Sequence, residues 1–234
     1  MKVYEGQTFQ GFTDRPSIWG GGKVFSDLEV RRCSFVGCAV SITRDPKRRS
    51  TVRNVKLIDC EQRGCAIDTA IIEDVLVDGL KTYGLLQTWG AAFKHVTLRG
   101  KIGEVMISKA VATGTAKPAE QRAFDEANAA FYATVDWALD ISEGDFQDLE
   151  LQGVPARLVR RDPTSQVIVT REKALQGAWQ QLDLSETHWS TSIEFLLERG
   201  DSDVVLVAGK RDPEFKVLLD GLKKLRDAGV AEPD

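Results

Sequence analysis

Apolar residues recur along the first two-thirds of the chain in a repeated block of six residues. Each block is apolar at its first, fourth and sixth positions, and the copies are Phe25–Val30, Val52–Leu57, Ile72–Val77, Phe93–Leu98 and Phe146–Leu151. The last two apolar positions follow the two-residue period of a β-strand and therefore share one face. Successive copies begin 27, 20, 21 and 53 residues apart. A repeat near 20 residues is typical of a solenoid, whose short units bury their apolar faces by stacking on one another.

Two finer regularities describe each turn of the predicted solenoid. Apolar or small residues keep a five-residue step, at positions 28, 33 and 38 and again from 55 to 85. A glycine column, Gly37, Gly64 and Gly84, follows the strands and predicts a corner that needs a positive φ or close backbone approach. Two or three short strands in a turn of about 20 residues predict a parallel β-helix.

Over residues 20–170 this architecture resembles the single-stranded right-handed β-helix superfamily, which includes pectate lyase-like enzymes, phage tailspikes and solenoids without enzymatic activity. The five-residue step is also distantly similar to the pentapeptide-repeat family. That family has a small residue two places before each central apolar residue, whereas this chain has Arg31, Arg53 and Glu73 at such places. The DNA-mimicking role of some pentapeptide-repeat proteins is therefore not carried over.

We predict a mainly β fold, a parallel β-helix of about 20-residue coils with a helix-containing insertion and an α-helical C-terminal cap. The solenoid domain covers 1–170, and Pro118 begins a helix within an insertion at about 107–145, where alternating apolar residues over 135–141 add a strand. Residues 171–234 form a mostly helical cap or subdomain. In that region helical spacing ends at Gly200, and a second helix ends near Gly229.

Composition and charge limit the functional classes. The hydrophobic fraction of 42% excludes wholesale disorder, and the apolar runs are too short for a signal peptide or a membrane span, which predicts a cytoplasmic protein. The net charge of -4 divides unevenly, since residues 1–105 carry 16 Lys+Arg against 12 Asp+Glu and the remainder carries 15 against 23. The basic half is too weakly charged for a nucleic-acid partner to be expected.

The four cysteines form two pairs with the same spacing, Cys33 with Cys38 and Cys60 with Cys65. The second pair follows the first by 27 residues, in register with the repeat, so stacking places Cys60 over Cys33 and Cys65 over Cys38. We interpret them as small buried side chains of the solenoid core. The spacing does not match a zinc site, and we predict neither a bound metal nor any other cofactor.

One column of polar residues is the strongest candidate for chemistry. The third position of the repeated block holds Asp27, Asn54, Asp74, His95 and Asp148. Stacked coils bring such side chains about 5 Å apart. If the protein is an enzyme, we expect Asp74, His95 and Asp148 to be catalytic, as an acid and base set. The alternative interpretation is a structural ladder of turn residues that hydrogen-bond the local backbone.

Two charged segments are candidate binding surfaces. Acidic residues lie between 136 and 150 without any Lys or Arg, and Asp136, Asp140, Glu143 and Asp145 are the candidate partner-binding set. They are either a solvated face or a docking patch for a basic partner. A basic run supplies a candidate anion site formed by Arg44, Lys47, Arg48 and Arg49.

These observations favour a non-enzymatic β-solenoid that binds another protein, which is basic if the acidic segment is its docking site. An immunity-type inhibitor of a toxin is one concrete form of this hypothesis. The first alternative is a carbohydrate-active lyase or hydrolase, although the calcium-binding and Gly-His-Gly patterns of pectate lyases and polygalacturonases are absent. The second alternative is a self-assembling structural solenoid. Catalysis and the oligomeric state are left open.

Overall fold

The computed structural model describes residues 1–16, 20–111 and 116–232, so residues 112–115 of the predicted insertion lie outside the described part. The protein is mainly β, and its strands are β1 Lys2–Glu5, β2 Thr8–Gln10, β3 Val24–Arg31, β4 Ser34–Val36, β5 Ala39–Val40, β6 Thr51–Arg63, β7 Ala66–Asp68, β8 Ile71–Tyr83, β9 Leu86–Trp89, β10 Ala92–Ser108, β11 Leu139–Asp140, β12 Gly144–Leu151, β13 Val159–Arg160, β14 Gln166–Thr170 and β15 Asp203–Val207. The α-helices are α1 Pro118–Tyr132, α2 Arg171–Leu175, α3 Trp189–Arg199 and α4 Phe215–Asp227.

A large curled parallel sheet forms the solenoid-like body, with its strands in the order β1-β3-β6-β8-β10-β12. Thr51 pairs with Ile71, and Ile71 pairs with Ala92, so the chain returns to the same place after 20 and 21 residues. The first four copies of the repeated block lie in register, because Phe25 pairs with Val52, Val52 with Ile72 and Ile72 with Phe93. The repeat therefore predicted the strand stacking correctly over this region.

The chain bends at a five-residue step. Positive φ angles occur at Asn54, Asp59, Gly64, Thr69, Asp74, Gly79 and Gly84. Each of these residues directly precedes one member of the apolar series from 55 to 85. Left-handed φ disfavours most side chains, but Gly, Asn and Asp tolerate it best, which explains why polar residues and glycines occupy these positions. Asp27, Asn54, Asp74 and His95 of the polar column all have positive φ, so these four positions meet a backbone requirement as well as carrying chemical groups.

The fifth copy of the block is not in register with the fourth, which corrects the predicted column. Phe146 pairs with Ile102 and not with Phe93, and Asp148 pairs with Glu104. The chain has already returned to the sheet at β11, where Leu139 pairs with Val96. The block Phe146–Leu151 therefore pairs with the second half of β10 and not with the first half, which holds Phe93–Leu98.

The C-terminal end of the sheet continues with antiparallel strands. β15 meets β12 at Leu151 and Val205, and it pairs along its length with β14. The outer edge of β14 is covered, because the backbone N–H of Glu232 donates to the carbonyl of Ile168 over 2.8 Å. Helices α2 to α4 pack on this layer around a second hydrophobic core that contains the buried side chains of Trp189 and Leu222.

Two of the predicted helix ends in this region are confirmed. Gly200 ends α3 with a φ of 70°, and Gly229, just after α4, has a φ of 68°.

The insertion packs α1 against the solenoid. Phe124 and Tyr132 of α1 are buried, and the Tyr132 hydroxyl accepts a hydrogen bond from the backbone N–H of Phe93 over 3.3 Å. The strand predicted over 135–141 is shorter than expected, since only Leu139–Asp140 pairs as a strand. Ala138 alternates with the larger apolar residues of this segment and was therefore expected to face solvent, but it is fully buried.

All four cysteines are free thiols. Cys33, Cys38 and Cys60 are buried and Cys65 is half-buried, as expected for side chains stacked in the core. Among the described helices, none has the length and apolar character needed to cross a bilayer.

Candidate functional site

The candidate site lies where His95 meets two carboxylates on the outer surface. Its Nδ1 is 3.0 Å from Oδ1 of Asp74, and its Nε2 is 2.6 Å from Oδ1 of Asp136. The side chains are 28% exposed for His95, 61% for Asp74 and 73% for Asp136. One imidazole therefore holds two solvent-accessible carboxylates.

The backbone places these three side chains together. Asp74 and His95 occupy equivalent bends of neighbouring strands, with φ of 53° and 54°. The segment that follows α1 reaches the same bend, because the backbone N–H of His95 donates to the carbonyl of Trp137 over 3.2 Å. Asp136 thus takes the place next to His95 that the repeat had assigned to Asp148. The structure joins two members of the predicted catalytic set and leaves the third elsewhere.

An aromatic stack extends the site. The His95 ring stacks on the indole of Trp137, with centroids 4.8 Å apart, and the guanidinium carbon of Arg160 lies 4.2 Å from the centroid of that ring. The pairing order is β10, β11 and β13, so the strands that carry His95 and Arg160 flank β11, which begins two residues after Trp137. We call Asp74, His95, Asp136, Trp137 and Arg160 the His95 surface.

Opposite charges stabilise the ionised forms of this cluster. The hydrogen bond with Asp136 raises the pKa of His95, and the bond with Asp74 adds to the increase. The hydrogen bond with His95 in turn lowers the pKa of Asp136. Both directions favour an imidazolium between two carboxylates near neutral pH.

Two coils before His95, the same column holds an amide next to a carboxylate. Nδ2 of Asn54 donates to Oδ1 of Asp27 over 2.5 Å, and hydrogen bonds from Ser26 and then from Asn54 lower the pKa of the Asp27 carboxyl. The amide of Asn54 carries no titratable charge. Only the part of the column at His95 contains a group that changes charge near neutral pH.

The four acidic candidates differ in exposure and in their partners. Asp136 and Glu143 are exposed, whereas Asp140 accepts hydrogen bonds from the backbone and hydroxyl of Ser142. Oδ1 of Asp145 lies 4.0 Å from Nζ of Lys210.

Basic residues from neighbouring segments lie between these acids. Arg160 pairs with Asp140 in the sheet, and the pKa of Arg99 is raised mainly by its hydrogen bonds with Asp78, to which the charge of Glu143 adds. A segment without Lys or Arg in the sequence is therefore a face of mixed charge in the folded protein.

The four basic candidates have different surroundings. Nη1 of Arg44 lies 3.7 Å from Oε2 of Glu120, and Arg48 donates from Nε and Nη2 to the carbonyl of Gly20. Arg49 is buried beneath α1. The backbone N–H of Lys47 donates a hydrogen bond to Oδ1 of Asp45. An anion site formed by these four side chains stays a prediction.

Asp148 lies in a separate cleft of about 170 Å³ between β12 and α3, which is also lined by His188 and Ser192. Burial raises the pKa of its carboxyl, and repulsion from Asp212 and Glu104 acts in the same direction. The cleft belongs to the C-terminal layer and is not part of the His95 surface.

No group of three or more metal-ligating side chains with suitable geometry is found within 1–16, 20–111 and 116–232. Comparison of the chain with protein-family models, with curated proteins and with solved structures finds no match. The interpretation of the site therefore rests on its own geometry.

Proposed function

We propose that this protein binds another protein, and that the His95 surface docks a cationic side chain of that partner. The observation that carries the proposal is the convergence of two exposed carboxylates, Asp74 and Asp136, on one planar cation of the chain itself. A guanidinium from a partner has similar planar geometry and donates to carboxylates in the same way.

The composition of the His95 surface supports protein recognition. Trp137 is half-buried and contacts both the His95 ring and the Arg160 guanidinium, so it has little rotational freedom to lose on binding. Tryptophan and arginine are the residue types most enriched among energetically important interface contacts. The carboxylates beside them favour a basic partner.

The carbohydrate-active alternative has weaker support. Both nitrogens of His95 already face carboxylates, so the ring has no free nitrogen for general acid or base catalysis. Trp137 already contacts the His95 ring and the Arg160 guanidinium, and both would compete with a sugar ring for the indole. The surface is also exposed, whereas acid and base catalysis is favoured in sites that exclude water.

The self-assembly alternative requires two open sheet edges for a head-to-tail polymer. β1 has its partner β3 on one side only, but the edge of β14 is covered by Ala231 and Glu232. This end cover disfavours extension by strand pairing.

The proposal includes two finer points about the body of the protein and its partner. The five-residue step of bends supports closed coils of the β-helix type. An immunity-type inhibitor that neutralises a basic toxin in the cytoplasm is a narrower version of the binding role.

The test is affinity capture from cells of the source organism with three forms of the protein. The wild type is compared with D74N/D136N and with E194Q/E198Q, which makes the same charge change at two exposed positions of α3. A basic protein captured by the wild type and the α3 control, but lost with D74N/D136N, is the expected result. Identical capture by all three forms would contradict the proposal.

Stoichiometric recovery of a toxin by the wild type would support the immunity-type version. A stoichiometric partner that is not a toxin would limit the role to protein binding.

A further inference from the structure

The hydrogen bonds of His95 require a particular protonation state. A neutral imidazole has one N–H donor and one acceptor nitrogen, whereas an ionised carboxylate only accepts. Because each ring nitrogen of His95 faces a carboxylate oxygen, both contacts can be hydrogen bonds only when the ring is an imidazolium. His95 is then the internal counter-ion of Asp74 and Asp136.

The charged groups around His95 come from each element packed against it. Asp74 faces it from β8, and Asp136 faces it from the segment before β11. Arg160 of β13 contacts the Trp137 ring, which His95 also contacts. The two carboxylates are the only groups among these that bond to the ring, so they govern its titration.

We propose that His95 competes with a basic partner for Asp74 and Asp136, so that partner binding and protonation of His95 oppose each other. This inference rests on the proposed function and adds its regulation. The physical reason is that an imidazolium and a partner guanidinium are like charges at the same two carboxylates. By linkage, a bound cation lowers the affinity of His95 for its proton, and deprotonation raises the affinity for the cation.

The sign of the pH effect follows from the two ionisations. Asp136 stays ionised from neutral pH to below its usual titration range, because its pKa is lowered. His95 keeps its proton above pH 6.5, because its pKa is raised, and loses it as the pH rises further. Affinity for a cation therefore increases as the pH rises through the pKa of His95.

The state of the ring is measured first on the protein alone. The chain has only two histidines, so nitrogen-15 NMR of the side chains gives one signal set for His95 and an internal reference from His188. We expect two N–H groups on His95 at pH 6 and a pKa that falls in D74N/D136N. A neutral His95 ring at pH 6, or the same pKa in the variant, would overturn the inference.

The competition is measured with a hexa-arginine peptide as the probe. For the wild type we expect its affinity to increase on the order of fivefold from pH 6 to pH 8.5 at low salt, which corresponds to removal of one nearby like charge. H95Q should lose this increase, and H188Q should keep it. Equal pH dependence of the wild type and H95Q would overturn the inference.

Failure of the proposed function gives a different pattern. If D74N/D136N binds hexa-arginine as tightly as the wild type, the carboxylates are not the docking site, whatever the titration of His95. Absence of peptide binding by every form would overturn both proposals, whereas a pH-independent affinity that still depends on Asp74 and Asp136 would overturn the competition alone.

Discussion

Two cationic side chains of the solenoid hold the same insertion, one in a buried contact and one in an exposed contact. Beneath α1, Nη1 of Arg49 donates to Oδ1 of Asn128 over 2.7 Å, Nη2 donates to the carbonyl of Gly90, and the guanidinium lies over the ring of Phe124. After α1, His95 bonds Asp136 at the surface. The buried cation has neutral partners, and the exposed cation has carboxylates.

The difference determines which contact responds to solution conditions. Burial lowers the pKa of Arg49 to about 10, so this guanidinium stays charged at neutral pH and contributes a constant contact. The His95 contact is solvated and titratable. We infer that the buried contact positions the insertion and that the exposed contact adjusts its outer surface.

The largest expected effect comes from breaking the buried contact. Asn128→Ala removes the acceptor of a guanidinium whose Nε has no hydrogen-bond partner among the described residues, and we expect a loss of about 2–3 kcal/mol in the free energy of unfolding in urea. Arg49→Met removes the buried charge and should lose less than Asn128→Ala. A loss below about 0.5 kcal/mol for Asn128→Ala would show that the buried contact does not hold the insertion.

The second prediction concerns the cost of the positive φ at position 95, measured without the imidazole. Valine at a φ of 54° should destabilise the protein by about 1–2 kcal/mol relative to glycine at the same position. The same valine-against-glycine comparison at Asn54, where φ is 51°, serves as the matched control away from the insertion. Thermal unfolding should give similar differences at both positions, and a difference confined to one position would show that the positive φ is not the common cause.

The third effect is the pH dependence of the exposed contact. The pKa of His95 is raised above its ordinary 6.5, so its contribution to stability is complete below pH 6.5 and is lost as the pH rises through the raised value. The unfolding temperature of the wild type should therefore approach that of H95Q at alkaline pH, whereas Asn128→Ala should keep its deficit. A parallel pH profile for wild type and H95Q would contradict this expectation.

The smallest effect is the response to salt. The destabilisation by Asp136→Asn should shrink in 1 M NaCl, because salt screens exposed charges strongly, while that of Asn128→Ala should hardly change. Urea unfolding at low and high salt measures both differences. Equal salt dependence of the two variants would remove the distinction between the contacts.

The fold was more predictable from the sequence than the site. Period-two apolar spacing and glycine or Asp/Asn bends depend on local physics, so the first four strand copies and the end of α3 at Gly200 were predicted correctly. The position of Asp136 beside His95 was not predicted. The apolar spacing of Phe146–Leu151 matches that of the other copies, so the repeat assigned this position to Asp148. The alternation of Val135–Ile141 directly after a helix was the signal that the chain rejoins the sheet there.

The burial of Arg49 had no signal in the sequence. It lies in a run of basic residues, Arg44–Arg49, that is typical of a solvated loop. Its partner Asn128 is 79 residues away and belongs to a helix whose position on the sheet depends on tertiary packing. The Arg49–Asn128 and His95–Asp136 contacts do not follow the coil repeat and were not predicted, whereas the repeat did predict Asp74 next to His95.

The coil contacts and the Arg49–Asn128 contact join residues at very different distances along the sequence, which implies an order of folding events. Neighbouring coils pair after 20 or 21 residues, so their loops close at a low entropic cost, and strand stacking can begin between β6 and β8 and spread to β10. The bond from Arg49 to Asn128 closes a far longer loop. The insertion should therefore dock late, and the His95 surface should be completed only after the coils that support it have formed.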